Sequence, residues 1–313
     1  MAGPALSVRT AAGLLAMAAL LVGCGTGEPS SESGAATSSD APSGTGSAST
    51  STSTSPTRSS TTRSTTSTTT RTTSSTSSTT PPPSLAGDTR NAWAFAPLTD
   101  CDAPVEEGQV PSLRAWSTSK VLVVAAFLDT VAGGDPGTLS ASDAGLIERT
   151  LTESHMDSLL ALRARIPGGS GPAITAILRG LGDTSTTAPS VKEGTMPWGL
   201  TSQVRFLCAL DAGEVVSPAA SAYILQRMHP IESQAWGLAT IDADAVKGGW
   251  LLPETETRQM GIVDGYAVAI ITAGVGPALL QSDGDYAHVE QMNALAASLR
   301  QRLAHETKET ARD

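Results

Sequence analysis

Aromatic residues are scarce, only 4% of the 313 positions, and lysine is scarcer, with four against sixteen arginines. Histidine is limited to four residues and cysteine to three, and nowhere do these types stand at metal-ligand spacing, so neither a metal nor any other cofactor is expected. The longest apolar run, residues 11–22, is too short to cross a bilayer as a helix. A basic excess is also missing. The formal charge is −10, which argues against nucleic acid as a partner.

What is present first is a leader. Arg9 is the one charged side chain in the first 24 residues, and the apolar run after it ends in Leu21-Val22-Gly23-Cys24. That tetrapeptide resembles the bacterial lipobox, where small residues before a cysteine permit cleavage and attachment of diacylglycerol. On this reading residues 1–23 are a signal peptide, and lipid on Cys24 holds the chain on the outer face of the cell membrane. The plainer alternative is an ordinary secretory signal with an incidental cysteine. Residues 24–86 are almost entirely Ser, Thr, Gly, Ala and Pro, too poor in large apolar side chains to offset chain entropy, and read as a disordered stalk. Residues 87–313 are long enough for one substantial core, expected as a monomer. Cys101 and Cys208 are left there, either bonded in an oxidising compartment or two buried thiols.

Hydrophobic periodicity places strands at residues 91–96 and 108–113, then helices. Val121, Leu122, Val124, Ala125 and Leu128 share one face of a helix that opens near Ser117 and stops at Gly133-Gly134. Further helices are expected over residues 140–152, 157–166, 172–181, 197–211 and 218–228, the last two opening on proline. After residue 243 the pattern turns to strands at 246–251, 257–263 and 266–272, with turns at Pro253-Glu254 and Asp264-Gly265, and closes in an amphipathic helix over 286–303. The order predicts an α+β fold: an antiparallel sheet shared by both ends of the domain, terminal helices against it, and a helical lobe between.

Within that frame, Ser117-Thr118-Ser119-Lys120 carries the chemistry. A serine at a helix start and a lysine three residues on share a face; a lysine shielded from water gives up its proton more readily and can deprotonate the hydroxyl. Taken alone, the tetrad reads better as a helix cap followed by a surface lysine. The surrounding elements change that weighting. Ser117-Thr118-Ser119-Lys120, Ser154 between two helices and Lys247-Gly248-Gly249-Trp250 on a strand occur in an order that resembles the penicillin-recognising serine hydrolases, the family of class A β-lactamases and D,D-peptidases. Short β-lactamase-like lipoproteins of actinobacteria are more similar still, through residues 115–121 and 234–238.

The resemblance implies Ser117 as nucleophile, Lys120 as general base and Ser154 as proton relay, with Lys247, Gly249 and Trp250 binding substrate. The backbone N–H groups of Ser117 and Trp250 would form the oxyanion hole. Three departures from the family pattern stand out. Met156 replaces the amide of S-x-N, Gly248 replaces the hydroxyl of K-T-G, and no Glu-x-x-Leu-Asn element positions a deacylating water; Asp183 and Glu193 stand in unrelated contexts. The implied function is a membrane-anchored, extracytoplasmic serine hydrolase acting through an acyl-enzyme on amide or ester substrates of the cell wall, β-lactams or D-Ala-D-Ala peptides among them. The alternative is an impaired descendant that binds wall peptides or a protein. His155, Trp198, Trp236 and a strand bulge at Gly248-Gly249 rank below these readings.

Overall fold

The computed structural model describes residues 81–250, 256–274 and 287–312. The signal, Cys24, the stalk up to residue 80 and the Pro253-Glu254 turn lie outside the described residues. Among the described residues no helix is long and apolar enough to cross a membrane.

Five strands form one antiparallel sheet: β1 (Asn91–Pro97), β2 (Val105–Gly108), β3 (Ala245–Trp250), β4 (Thr257–Val263) and β5 (Tyr266–Thr272), in the order β2-β1-β5-β4-β3. Both ends of the domain meet in the middle, where Asn91 pairs with Thr272 and Pro97 with Tyr266. β1 shows how the sheet separates two cores. Ala92, Ala94 and Ala96 face one side and Trp93 and Phe95 the other, the period of two that a pleated strand imposes. The small alanines leave room for the helical lobe, whereas the aromatics pack against the last helix, α7 (Ala287–Thr310), through Met292, Leu295 and Leu299. Ahead of β1, residues 81–90 are turns and coil, so α7 is the terminal helix that the described residues place against the sheet.

The lobe consists of α1 (Ser119–Thr130), α2 (Ala141–Thr152), α3 (Met156–Arg163), α4 (Ser170–Gly180), α5 (Leu200–Asp211) and α6 (Pro218–Leu225). Their order matches the periodicity, but α1 does not have the one-sided face expected of it. All ten residues from Ser119 to Leu128 are buried. A helix apolar on every side belongs in the middle of a lobe, and α1 is packed by α2, α3, α4 and α6.

Several boundaries differ from the sequence reading for local reasons. β2 lies at Val105–Gly108 rather than 108–113, because Gly108, at φ +82°, turns the chain out of the strand, and Asn91 O leaves no room there for a Cβ. Its two glutamates suit a sheet edge. Glu107 binds Arg302 at 3.2 Å and Glu106 accepts from Thr201 at 2.5 Å, so charge blunts an otherwise open edge. α5 begins at Leu200 because Pro197 is held in a lone bridge to Arg114. The ladder from Lys247 to Trp250 is continuous, each residue opposite one of β4, so Gly248-Gly249 is not a bulge.

Cys101, in the loop after β1, and Cys208 of α5 are bonded across 107 residues of sequence. Closing so long a loop in the unfolded chain gives the bond leverage of about 4 kcal/mol on chain entropy. Replacing both cysteines by serine is expected to lower unfolding free energy by roughly that amount in urea titrations, with secondary structure retained.

Candidate active site

Three elements converge on one cavity: the chain entering α1, the turn between α2 and α3, and β3. Residues 116–118 form a single 3-10 turn before α1, and Trp116, at φ 45°, occupies a backbone region that non-glycine residues rarely adopt. The turn is held from several directions. Thr118 Oγ1 donates to Ala115 O at 2.5 Å and receives Gln203 Nε2 at 2.9 Å, while Ser119 Oγ donates to Trp116 O at 2.7 Å. Arg258 of β4, wholly buried, donates to Leu113 O and Arg114 O at 2.9 and 2.7 Å and to Trp198 O at 3.0 Å. The strained turn is thereby over-determined by its surroundings, as backbone strain at a functional position requires.

Lys120 is not a surface residue, and no side chain caps the helix start, so the reading of this tetrad as a cap with a solvated lysine does not describe it. Lys120 Nζ lies 2.6 Å from Ser117 Oγ and 3.1 Å from Ser154 Oγ. From the opposite side Lys247 Nζ reaches Ser154 Oγ at 3.0 Å and its neighbour's carbonyl, Gly248 O, at 3.0 Å. The two lysines therefore meet through the Ser154 hydroxyl, and Ser117 joins them through Lys120. Ser154 is placed by another positive φ, 58°, between two fixed points. Gln234 Nε2 holds Glu153 O at 2.9 Å, and His155 caps α3 by accepting from Ser158 N at 3.2 Å. The His155 ring is committed to Arg149 and Ser158 rather than to Ser154.

Both lysine residues are 2% exposed. Burial lowers the Lys120 pKa from 10.5 to about 8. Lys247 is pushed well below its ordinary value, first by burial and then by repulsion from Lys120. Among the described residues no acidic group lies within ion-pair distance of either amine. A hydroxyl has one proton to give and two lone pairs, so Ser154 can donate to whichever amine is neutral and accept from the other.

Gly249 explains how the strand reaches the helix start. A Cβ there would sit 2.8 Å from Ser117 N and 2.9 Å from Thr118 N, so glycine alone permits this approach. The approach brings the next residue, Trp250, to the cavity that Ser117 lines. The Trp250 ring folds back over Gly248, with Cζ3 3.2 Å from where a Cβ would stand, and packs on Trp236 at 5.4 Å between centroids. Trp198 is a core residue, edge-on to Phe206. The cavity measures about 450 Å³, and Met156 stands at its mouth.

One wall was not legible beforehand. Residues 193–195 form a short turn whose Glu193 is buried at the cavity edge, bound to Ser170 Oγ and, at 3.3 Å, to Arg163. Nothing in the surrounding Val191-Lys192-Glu193-Gly194-Thr195 pattern marks that acid as buried; its partners come from α3 and α4, thirty and twenty-three residues away.

With the geometry in place, known proteins can be set beside it. No protein-family model matches the chain, and no curated relative matches it. Solved structures do. The TLA-1 extended-spectrum β-lactamase aligns at TM-score 0.51 and 14% identity, covering 68% of this chain and 93% of its own. A β-lactamase from Chitinophaga pinensis aligns at 0.52 and 16%, covering 67% and 94%, and the structure of PBP-A at 0.52 and 15%, covering 69% and 90%.

The chain has the fold of the β-lactamases.

The α+β architecture expected from the sequence is thus the observed one: a β-lactamase fold with its antiparallel sheet and helical lobe. Within it, Gly249→Ala is expected to separate β3 from the α1 start. A far-ultraviolet spectrum close to the parent with a lower melting temperature is the predicted result, since an added Cβ would crowd the backbone of Ser117 and Thr118.

Proposed function

We propose that the chain is a membrane-anchored, extracytoplasmic serine hydrolase that works through an acyl-enzyme on Ser117. The observation that carries the reading is the 2.6 Å contact of Lys120 Nζ with Ser117 Oγ, made by an amine whose pKa burial has brought to about 8. A neutral amine at that distance accepts the hydroxyl proton as Oγ attacks an acyl carbon. The oxyanion then falls to the N–H groups of Ser117 and Trp250, beside the α1 N-terminus. Ser154, bonded to both lysines, returns the proton to the leaving group. Water attack on the ester of Ser117 completes the cycle. Glu193, the one acid among the described residues lining the cavity, is tied to Ser170 and Arg163, so it does not drive that water quickly and the acyl-enzyme persists. The substrates of this reading are amides or esters at the cell wall, β-lactams or D-Ala-D-Ala peptides included, and the anchor is lipid on Cys24.

A second reading has one observation in its favour. Met156, at the α3 start, is 54% exposed and presents a thioether where an orienting amide would be useful, which suits a domain that retains the pocket to bind wall peptides or a protein without turnover.

A fluorophosphonate probe separates the two. The hydrolase reading expects covalent labelling that Ser117→Ala abolishes, with a labelling rate that climbs about tenfold per pH unit and levels off above about 8, because the reactive form is neutral Lys120. Folded protein that resists labelling across that range belongs to the second reading.

A further inference from the structure

The hydrolase reading leaves the substrate open between amides and esters, charged and uncharged, and the cavity wall narrows it. α3 contributes Met156, Leu159 and Leu160, and Trp116 and Trp250 close the sides. Of the four large apolar side chains exposed to solvent among the described residues, two line this cavity and a third adjoins it in sequence, while Ile231 lies outside the lining. Met156 at 54% and Leu160 at 38% line the cavity, and Val191 at 57% stands beside its lining residue Lys192. An exposed apolar patch around a reactive serine marks what the site is built to cover.

The same wall offers little to an anion. Gly248 carries no hydroxyl, and the Trp250 ring occupies the ground such a side chain would need. The other lining hydroxyls are spent on the backbone, Ser119 on Trp116 O and Thr195 on Lys192 O. Arg163 is already held by Glu193. Lys192 is exposed at the rim, where water screens it. Lys247 points back to Ser154 and Gly248 O, its hydrogen bonds turned away from the cavity. Among the described residues, a carboxylate brought into this cavity would have to share Arg163 with Glu193 or settle for the screened Lys192, a poor return for its lost hydration.

Resting on the hydrolase reading, we propose that the site takes a carboxylic ester with an uncharged apolar acyl group and no carboxylate. An alcohol leaves more readily than an amine, which must be protonated first, and Met156 gives an amide substrate nothing to bond with. In the balanced sequence the Ser117 Oγ proton moves to Lys120, the Oγ–acyl bond forms, the acyl–alkoxy bond breaks, and the proton reaches the alkoxy oxygen through Ser154. Water then adds to the acyl carbon, the Oγ–acyl bond breaks, and the carboxylic acid departs as Ser117 regains its proton. The apolar chain lies along Leu159, Leu160 and Met156, each buried methylene raising kcat/KM about three- to fourfold until the cavity is full.

The test uses the full chain with 4-nitrophenyl acetate, butyrate and octanoate, a fluorescent penicillin and a fluorophosphonate, each against Ser117→Ala. Expected are Ser117-dependent ester hydrolysis rising at least about tenfold from acetate to octanoate, and penicillin labelling slower by at least about a hundredfold. Leu160→Asp, at an exposed position that tolerates change, should lower the octanoate-to-acetate ratio at least about fivefold. Penicillin acylating Ser117 faster than the esters, or ester rates flat with chain length, would overturn the ester proposal while fluorophosphonate labelling keeps the hydrolase. Loss of both labelling and ester turnover in folded protein would overturn the two together.

Discussion

Two lysine amines held out of water around one serine hydroxyl set the terms for everything else in this molecule. Burying an ammonium without a counter-charge is costly, and the usual escape is to give up the proton. Neither Lys120 nor Lys247 has an acidic partner among the described residues, and both are displaced toward the neutral form. The destabilisation and the reactivity have the same origin. Desolvation that penalises the charged amine also turns Lys120 into a base near neutral pH, so the fold bears the cost where function gains from it.

The remainder of the domain holds that arrangement in place. α1 is buried on every side, which fixes the position and direction of its first turn. β4 does the clamping from the sheet side through adjacent residues on opposite faces. Arg258 gathers the carbonyls of Leu113, Arg114 and Trp198, its own pKa lowered to about 9 by burial, while Gln259 accepts from Leu238 N and donates to Trp236 O. One face thereby positions the approach to Ser117 and the other the segment under Trp250. The absence of a side chain at Gly249 lets the strand and the helix start come together between these clamps. Strain at Trp116 and Ser154 is what the clamps sustain.

How much of this the chain announced depended on whether the signal was local. β4 and β5 were readable to the residue because the turn at Asp264-Gly265 separates two runs rich in β-branched residues that lie between other elements. Ser117, Lys120, Ser154 and Lys247 were readable because their types and order are unusual in a chain with four lysines. β2 was misplaced because two glutamates are poor strand formers, and their partners, Arg302 and Thr201, are distant in sequence. The all-round burial of α1 was hidden because one apolar face was enough to identify a helix, and Ser119 and Lys120 among its remaining residues do not by themselves mark burial. Glu193 was passed over because its burial depends on Ser170 and Arg163, which only the folded lobe brings near. The lipid anchor on Cys24 remains a proposal from the leader pattern.

The central claim is that burial makes Lys120 give up its proton near pH 8 rather than at the ordinary 10.5, and it can be read directly from lysine side chains labelled with ¹³C at the ε carbon. Only four lysines contribute signals, and single replacements assign them. The account predicts that the Lys120 resonance titrates with a midpoint of about 8. A Lys120 midpoint at 10.5, with the protein folded throughout, would contradict it.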